Sequence, residues 1–193
     1  MQTIASGKQA HAEGQFTEAF GSSSHAEGNT TTAYGEQAHS EGHNTIASGN
    51  SSHAENYYTQ AVAGYSHAEG YESVSKGLYS HAEGGRTQAI GNGSHTEGLC
   101  TVAGSANQHV QGKYNQIDND KPYAHVVGNG TGEDEYDADG VLIKQNRSNA
   151  HTLDWDGNAW FAGGIILTAP NGTKYKITVN DSGVLQTAPF TAY

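Results

Sequence analysis

Through the first 112 residues, short runs of alternating small and polar residues are punctuated by glycine, and no amphipathic stretch of helical period occurs. His11, His25, His39, His53, His67, His81, His95 and His109 recur every fourteen residues without a slip. Two residues after each stand Glu13, Glu27, Glu41, Glu55, Glu69, Glu83 and Glu97, then Gln111. The next position is Gly14, Gly28, Gly42, Gly70, Gly84, Gly98 and Gly112, with Asn56 as the exception. Asn tolerates left-handed backbone angles better than most residues, so the turn survives there. A second half-motif follows each histidine, as Thr17-x-Ala19-x-Gly21, Thr31-x-Ala33-x-Gly35, Thr45-x-Ala47-x-Gly49 and Thr87-x-Ala89-x-Gly91. It is degraded around Ala61, Ser73 and Ala103.

Two short strands and two tight turns per period describe one thin coil of a β-solenoid. A helix would have to run through glycine every seven residues, at about 1 kcal/mol each relative to alanine, which excludes it. Eight coils stacked at one strand spacing of about 4.8 Å predict a rod of roughly 38 Å. Strand neighbours alternate faces, so each His and Glu share one face. The residues between them (Ala12, Ala26, Ser40, Ala54, Ala68, Ala82, Thr96, Val110) turn inward. On the second strand Thr and Ala point inward. Glu18 and Phe20, Thr32 and Tyr34, Ile46 and Ser48, Gln60 and Val62, Val74 and Lys76, and Gln88 and Ile90 point out.

Composition adds a constraint. The 193 residues include 26 glycines, and Leu, Ile, Val and Phe together number only 27. So small an apolar share cannot fill an ordinary core, and with a formal charge of −11 it would suit a disordered chain were it not for the repeat. The acidic balance (pI ≈ 5.3) argues against nucleic acid as a partner. No run approaches the 18 or so apolar residues of a membrane span, so membrane insertion is not expected. The N-terminus from Met1 to Gly7 lacks the charged-then-apolar order of a signal peptide. Cys100 is the single cysteine, so no intrachain disulfide framework exists.

Outward positions of the second strand vary from coil to coil, whereas the His/Glu face does not, as expected if each coil meets the same face of another subunit. A coil filled with Ala and Thr also buries too little to stand alone. The expectation is a homo-oligomer, taken as a homotrimer, with His11, Glu13, His25, Glu27, His39, Glu41, His53, Glu55, His67, Glu69, His81, Glu83, His95, Glu97, His109 and Gln111 as a network at its axis. Hydrogen bonding between chains is favoured there over a metal column, and no cofactor or catalytic residue is assigned, since a reaction needs one site and not eight.

After Gly112 the spacing changes, His125 following His109 by sixteen. Residues 1–112 are therefore read as the β-roll and 113–193 as a connector with a C-terminal tip. Lys113 to Pro122 reads as the connector, and Glu133 to Gly140 as an acidic loop. Asp156-Gly157 and Asn171-Gly172 are two-residue hairpin turns between apolar runs, and Asp181-Ser182-Gly183 leads into Val184. They predict a small antiparallel cap with a core of Trp155, Trp160 and Phe161. Glu135-x-Asp137-x-Asp139-Gly140 has a calcium-loop cadence, but Glu stands first and Asn146 twelfth, so a solvated turn is favoured. Ser148, His151 and Asp154 are triad residue types at turn spacing, for which capping is the better account. The threonine column from Thr17 to Thr101 points inward, against an ice-binding role.

The unit Ser24-His25-Ala26-Glu27-Gly28 and its copies resemble the SHAEG variety of the head repeats of YadA-like trimeric adhesins, and are similar to repeats in phage and prophage tail fibres and neck appendages. The resemblance covers about residues 1–112 and implies a left-handed parallel β-roll in a trimer. In the adhesins the His and Glu places are usually apolar and face the axis; this chain departs there, so its axis is expected to be polar. The segments Tyr123 to Gly130 and Asn146 to Gly163 resemble the C-terminal piece of such phage fibres. No part of the chain reads as the adhesins' membrane anchor. The resemblance implies a structural, non-enzymatic fibre segment of a virion tail, extracellular, that attaches to a host surface receptor or glycan. Tyr57, Tyr58, Tyr65, Tyr71 and Tyr79 are the stacking candidates for a glycan. The alternatives are a bacterial surface adhesin head and a self-processing appendage with an autoproteolytic chaperone.

Overall fold

A computed structural model of the chain describes residues 3–117, 123–136, 138, 140 and 142–190. Among them there is no helix, so none is long and apolar enough to cross a membrane. The chain winds as a parallel β-solenoid of about nine turns followed by small antiparallel sheets. One face, the second sheet, is built from the second strand of each coil: an eight-stranded parallel sheet of two-residue strands, from Ile4–Ala5 through Glu18–Ala19 and Thr32–Ala33 to Val102–Ala103. The other begins with His11–Gln15, His25–Asn29 and His39–His43 and continues through His53–Ala54 and its successors to His109–Lys113. Successive strands lie in register, His25 opposite His39 and Ala26 opposite Ser40. The amides of one coil donate to carbonyls of the next, as His25 N to Ala38 O at 2.9 Å and Thr32 N to Thr45 O at 3.0 Å.

The interior is narrow. Ala26, Ala54, Ala68 and Ala82 from the first face meet Ala19, Ala33, Ala47 and Ala61 from the second, and all are fully buried. Thr17, Thr31, Thr45, Thr59, Thr87 and Thr101 are buried beside them, as the alternation of strand faces requires. Several buried hydroxyls bond within their own coils, Thr87 Oγ1 donates across to Ser73 Oγ at 3.0 Å, and Thr17 Oγ1 and Thr31 Oγ1 have no partner among the described residues. Ser24 Oγ donates to Gly21 O at 2.7 Å, Ser80 Oγ to Gly77 O at 2.6 Å and Thr59 Oγ1 to Glu55 O at 2.8 Å. The motif glycines have a stricter cause than the turn alone. Gly28 sits at φ +111°, and a Cβ there would lie 2.2 Å from Gly42 O of the next coil. Asn56, at φ 77°, fills this place in one coil and uses its Oδ1 to accept from Gly70 N at 3.1 Å.

The first sheet does not stop at Gly112. Tyr123–Asn129 joins it in parallel, His125 opposite His109 and Gly128 opposite Gly112, so the change in spacing after His109 is absorbed without losing register. Asn149–Asp154 and Ala159–Phe161 then add antiparallel, and the reversal ends the coil. On the second sheet the last strand is closed by a side chain. Asn115, 2% exposed, accepts from Val102 N at 2.8 Å through Oδ1 and donates from Nδ2 to Val102 O at 3.1 Å, taking the place of a further strand. Arg147 ties the following segment down, donating to Cys100 O (3.0 Å) and Asn115 O (3.1 Å) while pairing with Glu133.

Turns form at both expected places, each longer than two residues: Asp154 N to Asn158 O closes the one at Asp156-Gly157 between the last two strands of the large sheet, and Ala169 N to Thr173 O the one at Asn171-Gly172 in an antiparallel meander of Ile165–Thr168, Lys174–Val179 and Leu185–Pro189. The expected tip core is corrected. Trp155, Trp160 and Phe161 are 55%, 54% and 49% exposed, because among the described residues no second layer covers these strands.

Replacing Asn115 by Ala strips both partners from Val102 at a buried sheet edge. Urea unfolding is expected to show a loss of about 1–3 kcal/mol for each backbone group left unpaired.

Candidate functional site

Each of the first seven coils carries one His and one Glu on the outer side of the first sheet, with Gln111 in place of Glu in the eighth, set there by the inward residue between them. The strand pairing sets each histidine directly over the one before it. The rings of His25, His39, His53, His67, His81, His95 and His109 accordingly stack with centroids 4.6–4.9 Å apart and planes within 5° of parallel. His11, on the exposed first coil, tilts by 31° against His25.

The carboxylates interleave with this column. His67 Nε2 lies 3.0 Å from Glu55 Oε1 and His81 Nε2 3.0 Å from Glu69 Oε1, both pairs hydrogen-bonded. His53 and Glu41 stand 3.5 Å apart, His95 and Glu83 3.6 Å, and His109 and Glu97 3.3 Å, near enough for charge attraction but not aligned for a hydrogen bond. His25 has its own coil's Glu27 at 3.8 Å. Each of these histidines except His25 thus looks back to the Glu of the preceding coil in the same chain, an arrangement that the one-dimensional spacing alone does not reveal. The Nε2 atoms of His25, His39, His53, His95 and His109 are shielded from solvent yet make no hydrogen bond. Alongside runs an open groove of carboxylates and glycines, lined by Glu13, Gly14, Glu27, Gly28, Glu41 and Gly42 and again by Glu69, Gly70, Glu83 and Gly84.

The column is one step longer than the sequence repeat. Gln111 Nε2 lies 3.3 Å from His125 Nε2, and the His125 ring meets His109 at 5.2 Å and His151 at 5.6 Å, with Phe161 against His151 at 4.7 Å. The signal was available in His125-Val126-Val127-Gly128, which keeps the His and Gly of the motif and replaces Glu by Val. Burial pushes the pKa of His95 down, helped by His81 and His109 and opposed by Glu83 and Glu97. His125 is also lowered, first by burial and then by His109 and His151, with Glu97 opposing.

The other sequence candidates separate. Ser148 Oγ donates to Asn129 Oδ1 at 2.7 Å. His151 is in the aromatic stack just described, and Asp154 accepts from the Asn158 side-chain amide (2.9 Å) and from the backbone amides of Asn158 (2.8 Å) and Asp156 (3.0 Å), bonds that hold its carboxyl below the usual range. Of the three, Asp154 alone holds a turn, while His151 lies within the strand Asn149–Asp154 and Ser148 bonds across to another strand. Glu135 pairs with Lys144 at 3.3 Å; Asp137 and Asp139 of the calcium-like cadence lie outside the described residues. Tyr57, Tyr58, Tyr65, Tyr71 and Tyr79 are exposed, and Tyr57 stacks between His43 (4.9 Å) and Tyr71 (5.5 Å) at one corner of the roll. Arg86 crosses the Tyr71 ring at 5.8 Å and bonds Glu72 at 2.7 Å. No known protein family matches the chain, and neither does any curated protein.

A histidine whose folded pKa is lowered makes the unfolded state the better proton binder. Stability from His95 and His125 is therefore fully present above the ordinary histidine pKa of about 6.5 and is lost as pH falls below it toward their lowered folded values. Denaturant midpoints are expected to drop between pH 7.5 and pH 5. The drop should be smaller in His95→Gln, whereas stability rising on acidification would contradict the balance of forces at these rings.

Proposed function

We propose that the chain is a structural, non-enzymatic fibre segment that works as a homotrimer, in a phage or prophage-derived tail, and contributes to attachment at the host-cell surface. The observation that carries the assembly is the His/Glu face. It repeats unchanged over seven coils, from His11 and Glu13 to His95 and Glu97, and five of its imidazole nitrogens make no hydrogen bond among the described residues of the chain. Facing copies of such a ladder would pair these polar groups level by level, since seven successive levels present the same groups at the same spacing. The antiparallel strands make the same demand in apolar terms. Trp155, Trp160, Ile166, Leu167 and Leu185 are half exposed or more in the single chain, or close to it, and a layer of this kind is covered by association.

The three-fold symmetry, the virion setting and the attachment role rest on the resemblance of the Ser-His-Ala-Glu-Gly units and of Asn146 to Gly163 to phage fibre repeats and ends. The solenoid is compatible with them. Variable outward residues on the second sheet and the exposed tyrosine corner are the surfaces left to meet a receptor or glycan.

Light scattering on the purified chain is expected to give three times 20.3 kDa, and a folded species at 20.3 kDa would overturn the assembly. Tryptophan emission should shift to the blue on assembly. Fluorescently labelled protein should decorate intact cells of a susceptible bacterium; failure to label the hosts of phages that carry such repeats would remove the attachment role while leaving the trimer standing.

A further inference from the structure

The ladder brings metal-ligating atoms together within one chain. Donor atoms of His53, Glu55 and His67 all lie within 4.8 Å of one another, and so do those of His67, Glu69 and His81. We propose that this stretch of the ladder is a binding site for one first-row transition-metal dication of the zinc or nickel class, centred on His67.

The geometry favours this class on three grounds. The 3.0 Å between His67 Nε2 and Glu55 Oε1 is the span of two ligands held by one ion at about 2.0–2.2 Å each, so the pair is preset as a chelate. The second imidazole comes from an adjacent coil; its half-exposed ring turns about its side-chain bonds to bring Nε2 to the ion, and at His53 that atom has no hydrogen bond to give up. Two imidazoles and one carboxylate form a mixed nitrogen and oxygen set that zinc or nickel takes readily, whereas magnesium and calcium require oxygen. The remaining positions stay open to water or to a second copy of the chain. The formal charge of −11 and the carboxylate groove beside the ladder raise the local cation concentration.

Sharing fixes the stoichiometry. The two candidate triads have His67 in common, and its single Nε2 lone pair serves one ion at a time, so one dication fills this stretch. The triads nearer the N-terminus, Glu13 with His25 and Glu27 and Glu27 with His39 and Glu41, each supply only one imidazole and are weaker places for such an ion.

The test is calorimetric titration of the full chain with zinc chloride, with magnesium chloride in parallel. One tight zinc per chain is expected, with magnesium silent. His67→Ala should weaken that step at least tenfold, while His43→Ala, outside both triads, should leave it unchanged. X-ray absorption of the zinc-loaded unmodified chain gives a second readout that no folding defect can confuse, and two imidazoles in the ligand shell are expected. Equal response to magnesium, a tight step that survives His67→Ala, or a shell with fewer than two imidazoles would overturn the site. The ligands come from one chain, so light scattering keeps the matters apart: a trimer without zinc binding sinks only the metal site, and zinc binding by a single chain sinks only the trimer.

Discussion

Backbone hydrogen bonding between successive coils governs this molecule. Each amide reaches a carbonyl one strand spacing away, as in His25 N to Ala38 O at 2.9 Å, and the in-register sheet places every residue over its counterpart. Interior, corners and outer face all inherit that condition. Only small residues fit an interior between two sheets so closely apposed, which is why alanine, serine and threonine occupy it. At the corners the next coil's carbonyl takes the space of a side chain, which is why Gly28 and its equivalents have none. Apolar burial is correspondingly modest, since an alanine methyl contributes only on the order of 1 kcal/mol, and the ladder of backbone bonds takes over the role an oily core has elsewhere.

The same register turns a chemical liability into a feature of the surface. Identical ionisable groups stacked at strand spacing would repel if all were charged. Here the imidazoles stack face to face, and carboxylates of the same ladder stand 3.0–3.6 Å from the rings of His53, His67, His81, His95 and His109. At His95 and His125 burial and neighbouring imidazoles outweigh the carboxylates. The ladder is thus a column of stacked imidazoles within reach of carboxylates, an arrangement equally suited to hydrogen bonding across an interface and to holding a cation.

Much of this was legible in the sequence because the period fixes which residues share a face. The inward Ala and Thr, the outward His and Glu and the hairpin turns at Asp156-Gly157 and Asn171-Gly172 all follow from alternation and turn chemistry. What the period could not show was pairing between neighbouring coils. That His67 meets Glu55 and not Glu69 depends on side-chain lean and rotamer, which spacing does not encode. His125 was hidden by an altered interval that the connecting segment absorbs, and Asn115 because a side chain standing in for a strand has no sequence signature. The tip core failed for a different reason: aromatic residues announce burial, but among the described residues no second layer gives them anything to be buried against.

The left-handed corner five residues after each histidine carries a further consequence. Phe16, Thr30, Asn44, Tyr58, Glu72, Arg86, Cys100 and Tyr114 all occupy it with φ between 43° and 58°, although no two neighbouring coils place the same residue there. The backbone at this point is dictated by the stack and is indifferent to the side chain it presents. Heredity can therefore act on the gene in two separate currencies. Point changes at the corners alter what the rod displays without touching what holds it up, and duplication or loss of a whole coding unit changes its reach, while an insertion of a single codon breaks the alignment of every coil beyond it unless a loop absorbs the slip, as happens once before His125.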